Sequence, residues 1–313
     1  MISAPETSSL RWAQETSVKF IMPSLDDFKD ITQRDEPLAP HTWLKIGGPA
    51  QYLIRPRNIP ELQAVVKAGH AAGLPVRVLG GGSNLLVRDE GVSGIVIRLE
   101  GDEFSQIQID GSRLIAGAGA LLSNVVSQSV KAGLAGLDIL VGIPGTVGGA
   151  LRGNSGGRSG DIGQSVASVT VVTANGDIVT RNRDELAFSY RQSNLNDVII
   201  LAVTFELHPE DPGEITRRMR KLWIMKKATQ PLTFQSAGCI FRNPRGLRAG
   251  LMIEQAGLKG TRIGNVEVSD RHANFLVAHD HASSTDVLRL TDLIRSRVAE
   301  QFGVDMELEI VIW

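Results

Sequence analysis

Val78-Leu79-Gly80-Gly81-Gly82-Ser83-Asn84-Leu85-Leu86-Val87 places three successive glycines and a Ser-Asn pair between two short apolar runs of strand character. Without Cβ atoms, the backbone at Gly80, Gly81 and Gly82 can take positive φ and approach a ligand closely, and successive N–H groups there form a concavity suited to phosphate. The stretch is neither of the two best-known phosphate loops. No Gly-Lys-Ser/Thr closes it and no G-x-G-x-x-G opens a helix, because Leu85-Leu86-Val87 continues as apolar chain. A tight turn between strands accounts for one or two glycines; three in succession point to a ligand.

Outward from this loop, helix and strand alternate. Asn58-Ile59-Pro60-Glu61 followed by Leu62, Val65, Val66 and Ala72 has a cap residue, an early proline and an apolar stripe, and it stops at Gly73 and Pro75, so it predicts a helix. Val76-Arg77-Val78-Leu79 reads as the strand that delivers the glycines. Further upstream, Pro37 to Gly48 closes on the pair Gly47-Gly48, which suggests a second glycine loop near the first. Residues 1–36, rich in Ser, Thr, Glu and Asp with weak periodicity, read as a poorly ordered N-terminal extension. Downstream, strands are predicted at 95–97, 107–109 and 114–116, and then a helix carrying Leu121, Leu122, Val125, Val126 and Val130.

Gly142-Ile143-Pro144-Gly145-Thr146-Val147-Gly148-Gly149-Ala150, with Gly156, Gly157, Gly160 and Gly163 behind it, is the densest glycine region. A flexible linker lacks apolar punctuation, whereas Ile143, Val147, Ala150 and Leu151 can pin this stretch to a core, so it reads as a structured ligand loop. A hairpin follows in 169–173 and 178–180, turned at Asn175-Gly176. Val198 to Leu207 reads as a buried strand. Glu210-Asp211-Pro212-Gly213 then breaks the pattern, which puts a domain boundary near 210, and the basic helix behind it (Arg217, Arg218, Arg220, Lys221, Lys226, Lys227) reads as a solvated face. The last third predicts a helical segment at 251–256, a strand at 274–277, a long helix from Ser284 and an alternating strand from Met306 to Ile312.

Composition narrows the partners. The 33 glycines exceed the roughly 22 that an average near 7% would give a chain of this length. With 33 basic and 34 acidic residues the net charge is -1, which argues against a general nucleic-acid binder, and the 42% hydrophobic content is ample for a folded interior. The single cysteine, Cys239, excludes an internal disulfide framework and thiolate metal cages and fits a reducing compartment. No run approaches the length of a membrane span and no signal-peptide pattern is visible, so a cytoplasmic protein is expected.

Three places carry candidate chemistry. Phe188-Ser189-Tyr190-Arg191-Gln192-Ser193 puts a guanidinium beside aromatics, where it wants a carboxylate or phosphate; a structural ion pair is the competing reading. Gln235-Ser236-Ala237-Gly238-Cys239-Ile240-Phe241-Arg242-Asn243-Pro244 places small residues ahead of the thiol, which would let a ligand reach it, although a lone cysteine also serves as a small buried hydrophobe. Glu307 and Glu309 alternate with Met306, Leu308 and Ile310, so the two acids are expected on one face of a strand. His279-Asp280-His281 matches no familiar zinc spacing, no metal site is expected, and no G-x-S-x-G elbow occurs.

Taken together and in this order, Arg77 to Val87, Gly142 to Ala150, Tyr190 to Ser193, Ser236 to Pro244 and Arg271-His272-Ala273-Asn274-Phe275 resemble the MurB family of UDP-N-acetylenolpyruvoylglucosamine reductases, from about residue 38 onward. The resemblance implies an α+β chain with a two-subdomain FAD-binding fold of the vanillyl-alcohol oxidase type, at 37–98 and 99–210, and a C-terminal α+β substrate-binding domain at 211–313 whose last strand returns to the first subdomain. It implies that Gly80, Gly81, Gly82, Ser83 and Asn84, with Gly145, Thr146, Gly148 and Gly149, clasp the FAD diphosphate, with Thr42 and Gly47-Gly48 nearby. It further implies NADPH as reductant and a UDP-sugar substrate, UDP-N-acetylglucosamine enolpyruvate, reduced to UDP-N-acetylmuramate in peptidoglycan precursor synthesis. Arg191 and Glu309 would then polarise the substrate carboxylate, Cys239 would give the proton to C2 while hydride reaches C3, and Tyr190, Arg242, Asn243, Gln255 and Lys259 would face the substrate.

Two departures accompany the resemblance. Cys239 stands where the family usually has a serine proton donor, which keeps the role but suggests sensitivity to oxidation, and Glu307-Leu308-Glu309 replaces the usual Glu-Pro-Glu. The short interval from Cys239 to Glu309 matches the family's shorter subtype. Two other readings stay open: a different FAD-dependent oxidoreductase of the same fold, or a non-catalytic nucleotide-binding regulator. The regulator requires Arg191, Cys239 and Glu309 to lie apart, since catalytic groups act at hydrogen-bond reach.

Overall fold

The computed structural model describes residues 24–157, 159–195, 199–231 and 235–313. The triple glycine leaves the edge of a four-stranded sheet ordered Thr32–Pro37, Pro49–Ile54, Val92–Ile97, Val76–Val78. The first pair is antiparallel and the other two are parallel, with Val76 opposite Ile95 and Val78 opposite Ile97. The predicted helix is present as Ile59–Ala71, and the Asn58 side-chain oxygen accepts from the Glu61 N–H at 2.9 Å to cap it. Its apolar stripe, Leu62, Val65 and Val66, is buried in the main core.

The extension expected at 1–36 is corrected over the part that is described. Leu25–Ile31 forms a 3-10 helix capped by Ser24 and Thr32–Pro37 pairs with Pro49–Ile54, so this segment supplies the sheet's outer strand; residues 1–23 lie outside the described residues. Its strand does not alternate and so does not announce itself, because all six of its residues are polar or proline and it covers an edge.

A second, five-stranded antiparallel sheet runs Ile178–Asn182, Val166–Val172, Ile199–Glu206, Arg113–Gly117, Ile107–Asp110. The Asn175-Gly176 hairpin joins its first two strands, and Val198 of the predicted strand lies outside the described residues. Both sheets share one core that also takes in the helix Leu122–Lys131.

The boundary expected near 210 lies about twenty residues further on. The basic helix Pro212–Thr229 docks on the second sheet's unit: Ile215 packs with Val130 and Ala135, and Arg218 pairs with Asp138 at 2.7 Å and with Glu210 at 2.8 Å. The Pro-Gly break marks a helix start rather than a domain border. A separate C-terminal core begins at Ala237 and gathers the helices Ala249–Gln255 and Ser284–Phe302 and a small sheet of Arg262–Ile263, Val266–Val268 and Leu276–Ala278. It also buries Leu44, Ile46 and Leu86 from the first unit.

The alternating strand expected over 306–312 is corrected to Val311–Ile312, which runs parallel to Leu85–Leu86 directly after the triple-glycine loop. Upstream of it the ladder is interrupted: the N–H groups of Glu309 and Ile310 both donate to the Ile240 carbonyl, at 2.7 and 3.4 Å. Two residues facing one partner form a bulge, which turns a side chain off the regular alternation. Glu307 therefore points to solvent with its side chain 77% exposed, while Glu309 turns inward at 14%.

Candidate active site

A cleft of about 1530 Å³ opens between the two sheet units and the C-terminal domain, and residues of all three line it. Its floor is the meeting of the two glycine loops. A Cβ at Gly81 would stand 2.6 Å from the Gly145 Cα, and one at Gly82, where φ is +63°, would collide with the His41 carbonyl oxygen. Ser83 Oγ donates to the Pro144 carbonyl at 3.3 Å, so the loops are stitched as well as apposed. The 38–48 segment supports this floor from behind: the Trp43 N–H donates to the Gly82 carbonyl at 3.0 Å, and the buried Thr42 hydroxyl donates to the Ile46 carbonyl at 2.9 Å. Trp43 itself lines the cleft, whereas Gly47 and Gly48 pack on Val87 and Asp89.

The N–H groups of Gly80, Gly81, Gly82, Ser83 and Asn84 donate to no acceptor among the described residues. Five successive free donors on a loop that cannot carry a Cβ at Gly81 or Gly82 fit a dinucleotide diphosphate, and they supply the compensation that a P-loop lysine gives elsewhere. Gly145, Thr146 and Gly149 share the lining. Gly148 does not: its N–H donates to the Ala118 carbonyl at 2.9 Å and it packs on Ala118. Asn84 turns its side chain away from the loop, and its Nδ2 donates to the Glu309 carbonyl at 3.1 Å.

At the C-terminal wall Arg191, Cys239 and Glu309 converge. Arg191 Nε donates to Glu309 Oε1 at 2.6 Å, and both side chains are largely buried. Arg191 has φ +58°, a left-handed conformation that a non-glycine residue adopts at a cost and that clusters at functional sites. Its guanidinium lies 5.3 Å from the centre of the Tyr190 ring. Burial pushes the Glu309 carboxyl up, against the pull of Arg191 and then Arg242. Cys239 is half-buried, one residue from the Ile240 carbonyl that holds the Glu309 N–H. Burial first, and then the Glu309 carboxylate, push its thiol up to about 12, opposed by Arg191 and Asn274. A thiol so held stays protonated near neutrality, the form a proton donor requires.

The other residues anticipated for the substrate separate. Arg242 lines the cleft and meets Glu307 at 3.4 Å. Tyr190 is exposed beside it, and its hydroxyl accepts from the Asn243 N–H at 3.2 Å. Asn243 spends its side-chain oxygen accepting from the Ala249 N–H at 3.0 Å, at the start of a helix. Gln255 and Lys259 lie outside the cleft lining, the first exposed and the second paired with Glu254 at 2.7 Å.

Sequence reasoning missed three lining residues. Lys226, assigned to a solvated face, reaches into the cleft and donates to the Val141 carbonyl at 2.6 Å; burial and then Arg191 lower its pKa. The signal was available, because Leu222, Met225, Lys226 and Thr229 recur at helical spacing and all line the cleft. His272 accepts from the Asn274 N–H at 3.2 Å through Nδ1, and burial lowers its pKa. The buried Ser236 hydroxyl has no hydrogen-bond partner among the described residues and faces the same space.

Comparison with known proteins agrees with this geometry. Residues 50–182 match the FAD binding domain family, and residues 230–313 match the C-terminal domain of UDP-N-acetylenolpyruvoylglucosamine reductase. The chain is 44% identical over 283 residues to UDP-N-acetylenolpyruvoylglucosamine reductase 2 of Symbiobacterium thermophilum, covering 90% of this chain and 92% of that one. It is 41% identical to the reductase of Moorella thermoacetica, over 89% and 92% of the two chains. Among solved structures, the reductase of Thermus caldophilus superposes with a TM-score of 0.79 at 40% identity, over 90% of this chain and 98% of that one.

Proposed function

The chain belongs to the UDP-N-acetylenolpyruvoylglucosamine reductase family, and on that premise we propose that Cys239, Arg191 and Glu309 carry the substrate half of its reaction. The enzyme uses FAD and NADPH to reduce the enolpyruvyl group of UDP-N-acetylglucosamine enolpyruvate to the lactyl ether of UDP-N-acetylmuramate, in peptidoglycan synthesis. Bound FAD would supply the hydride chemistry that links NADPH to the enolpyruvyl group. The glycine loops hold its diphosphate through the backbone donors of residues 80–84 and through the second cradle at Gly145, Thr146 and Gly149.

Arg191 and Glu309 address the substrate carboxylate. Glu309 occupies the Arg191 Nε and leaves the two terminal nitrogens of the fork, the pair suited to a carboxylate. That positive charge offsets the negative charge developing as C3 is reduced. Cys239 then gives its proton to C2: the S–H bond breaks, the C–H bond forms, and the thiolate beside Arg191 regains a proton from solvent. Arg242, from the cleft lining, and Tyr190, whose ring lies against the Arg191 guanidinium, are assigned to the UDP-sugar.

One observation carries this reading. The Glu309 N–H, at 2.7 Å from the Ile240 carbonyl, ties the acid to the residue following the thiol, while its side chain holds Arg191. Three groups from distant parts of the chain thus meet over one cleft, which disfavours a non-catalytic regulator. We place the protein in the cytoplasm, where its one thiol stays reduced; no helix among the described residues is long and apolar enough to cross a membrane. The test is anaerobic: flavin reduced by NADPH in the purified protein should be reoxidised on adding the enolpyruvyl UDP-sugar. A reduced flavin that persists in its presence rejects the assignment, and would leave another oxidoreductase of this fold as the reading.

A further inference from the structure

Asn274 belongs to Arg271-His272-Ala273-Asn274-Phe275, a segment to which the roles above assign nothing. It is 2% exposed, and a carboxamide that deep needs partners for both its nitrogen and its oxygen. It finds them on one residue: Oδ1 accepts from the Phe241 N–H at 3.0 Å, and Nδ2 donates to the Phe241 carbonyl at 2.8 Å. The Asn274 main-chain carbonyl accepts from the Ile240 N–H at 2.9 Å. The carboxamide therefore stands in for a strand residue, pairing with Phe241 as a ladder neighbour would. On the opposite side the Ile240 carbonyl receives the Glu309 and Ile310 N–H groups, and Phe241 bridges to Leu308. Cys239 thus leads into a backbone clamped between Asn274 and the segment that bears Glu309.

We propose that Asn274 is a positioning residue for proton transfer: its two-point grip on Phe241 sets the direction of the Cys239 S–H bond and, through the Ile240 carbonyl, the place of Glu309. Asn274 does not line the cleft, so the effect reaches the substrate only through these two groups. The inference rests on the donor role given to Cys239 above.

The experiment separates the half-reactions in the FAD-loaded, full-length enzyme. Asn274→Ala should slow substrate-driven reoxidation about 10²-fold, the order that a misplacement near 1 Å costs, while NADPH-driven reduction and UDP-sugar affinity change less than about twofold. Asn274→Asp supplies a readout that loosened packing would not move. Its carboxylate keeps the acceptor for the Phe241 N–H but lacks the donor for the Phe241 carbonyl, and protonation restores that donor. Its reoxidation rate should therefore rise, relative to wild type, as pH falls.

The titratable and charged groups around the site are His272, Cys239 and the Arg191–Glu309 pair, with Lys259 and Glu254 acting on His272. His272 stays neutral above its lowered pKa and Cys239 stays protonated below about 12, so neither produces a relative gain of this kind near neutrality. Equal slowing of both half-reactions by Asn274→Ala, or an Asn274→Asp profile parallel to wild type, overturns the proposal. If Asn274→Ala does not fold, Asn274→Asp decides on the same two criteria. Cys239→Ala separates this inference from its premise. Fast reoxidation in that variant removes the donor role and the proposal with it; slow reoxidation there with unaffected Asn274 variants removes the positioning role alone.

Discussion

Cys239 pairs a reactive atom with surroundings that restrain it. A proton donor works only while protonated, and with the thiol pushed up to about 12 the protonated form prevails through the range in which an ordinary cysteine would already titrate. The reoxidation half-reaction should therefore show no alkaline loss from this group below about pH 10, measured by stopped-flow absorbance; a decline centred near 8.5 would indicate an unperturbed thiol. Cys239→Ala should leave reduction by NADPH intact and slow reoxidation by substrate about 10²- to 10⁴-fold, the range of general acid catalysis, whereas Cys239→Ser should retain substantial activity. Equal loss in the two half-reactions would refute the donor role. Arg191 and Cys239 were recognisable in the sequence as a cation among aromatics and a thiol behind small residues. Choosing Glu309 over Glu307 was not possible from alternation, which put both on one face, because the bulge against Ile240 is a tertiary event with no local signature.

At the level of elements, the triple-glycine loop was legible because glycine excess is a local property, and so were the 59–71 helix and the 175–176 hairpin, whose periods and turn residues are local too. The loop's dependence on Gly145 was not. Gly81→Ala places a methyl 2.6 Å from the Gly145 Cα, and backbone on both sides cannot yield as a side chain end would. We expect its FAD dissociation constant, read from flavin fluorescence, to rise at least about tenfold, equivalent to about 1.4 kcal/mol. Unchanged affinity would mean that the two cradles do not need to touch. Lys226 shows the converse limit: its helical spacing was visible, but whether that face meets solvent or a cleft depends on what the fold places opposite it.

Across the whole molecule, Arg218 and Asp138 fix the 212–229 helix, and so one cleft wall, to the second sheet's unit. Burial alone would push the Asp138 carboxyl up, but Arg218 and the Gly136 N–H outweigh it and hold the carboxyl below its ordinary value. A depressed folded-state pKa contributes stability that is fully present above the unfolded value, near 3.9, and is lost as pH falls through the folded one. Asp138→Asn should cost about 2 kcal/mol near neutrality, reduced from the fully buried case because Arg218 is 43% exposed, and the gap to wild type in thermal melts should close toward pH 2. A gap independent of pH would assign the loss to packing. The helix itself was predicted from its pattern, but its allegiance was misjudged because a Pro-Gly break looks alike before a helix and between domains. The pairing of Val311–Ile312 with Leu85–Leu86 bears on how the protein is made. Chains emerge from the ribosome starting at the N-terminus, and Asn84 waits for a partner 225 positions later, at Glu309. The flavin loop thus leaves the ribosome well before the strand at Val311–Ile312 that pairs beside it, and it stays without that neighbour until the later segment has emerged.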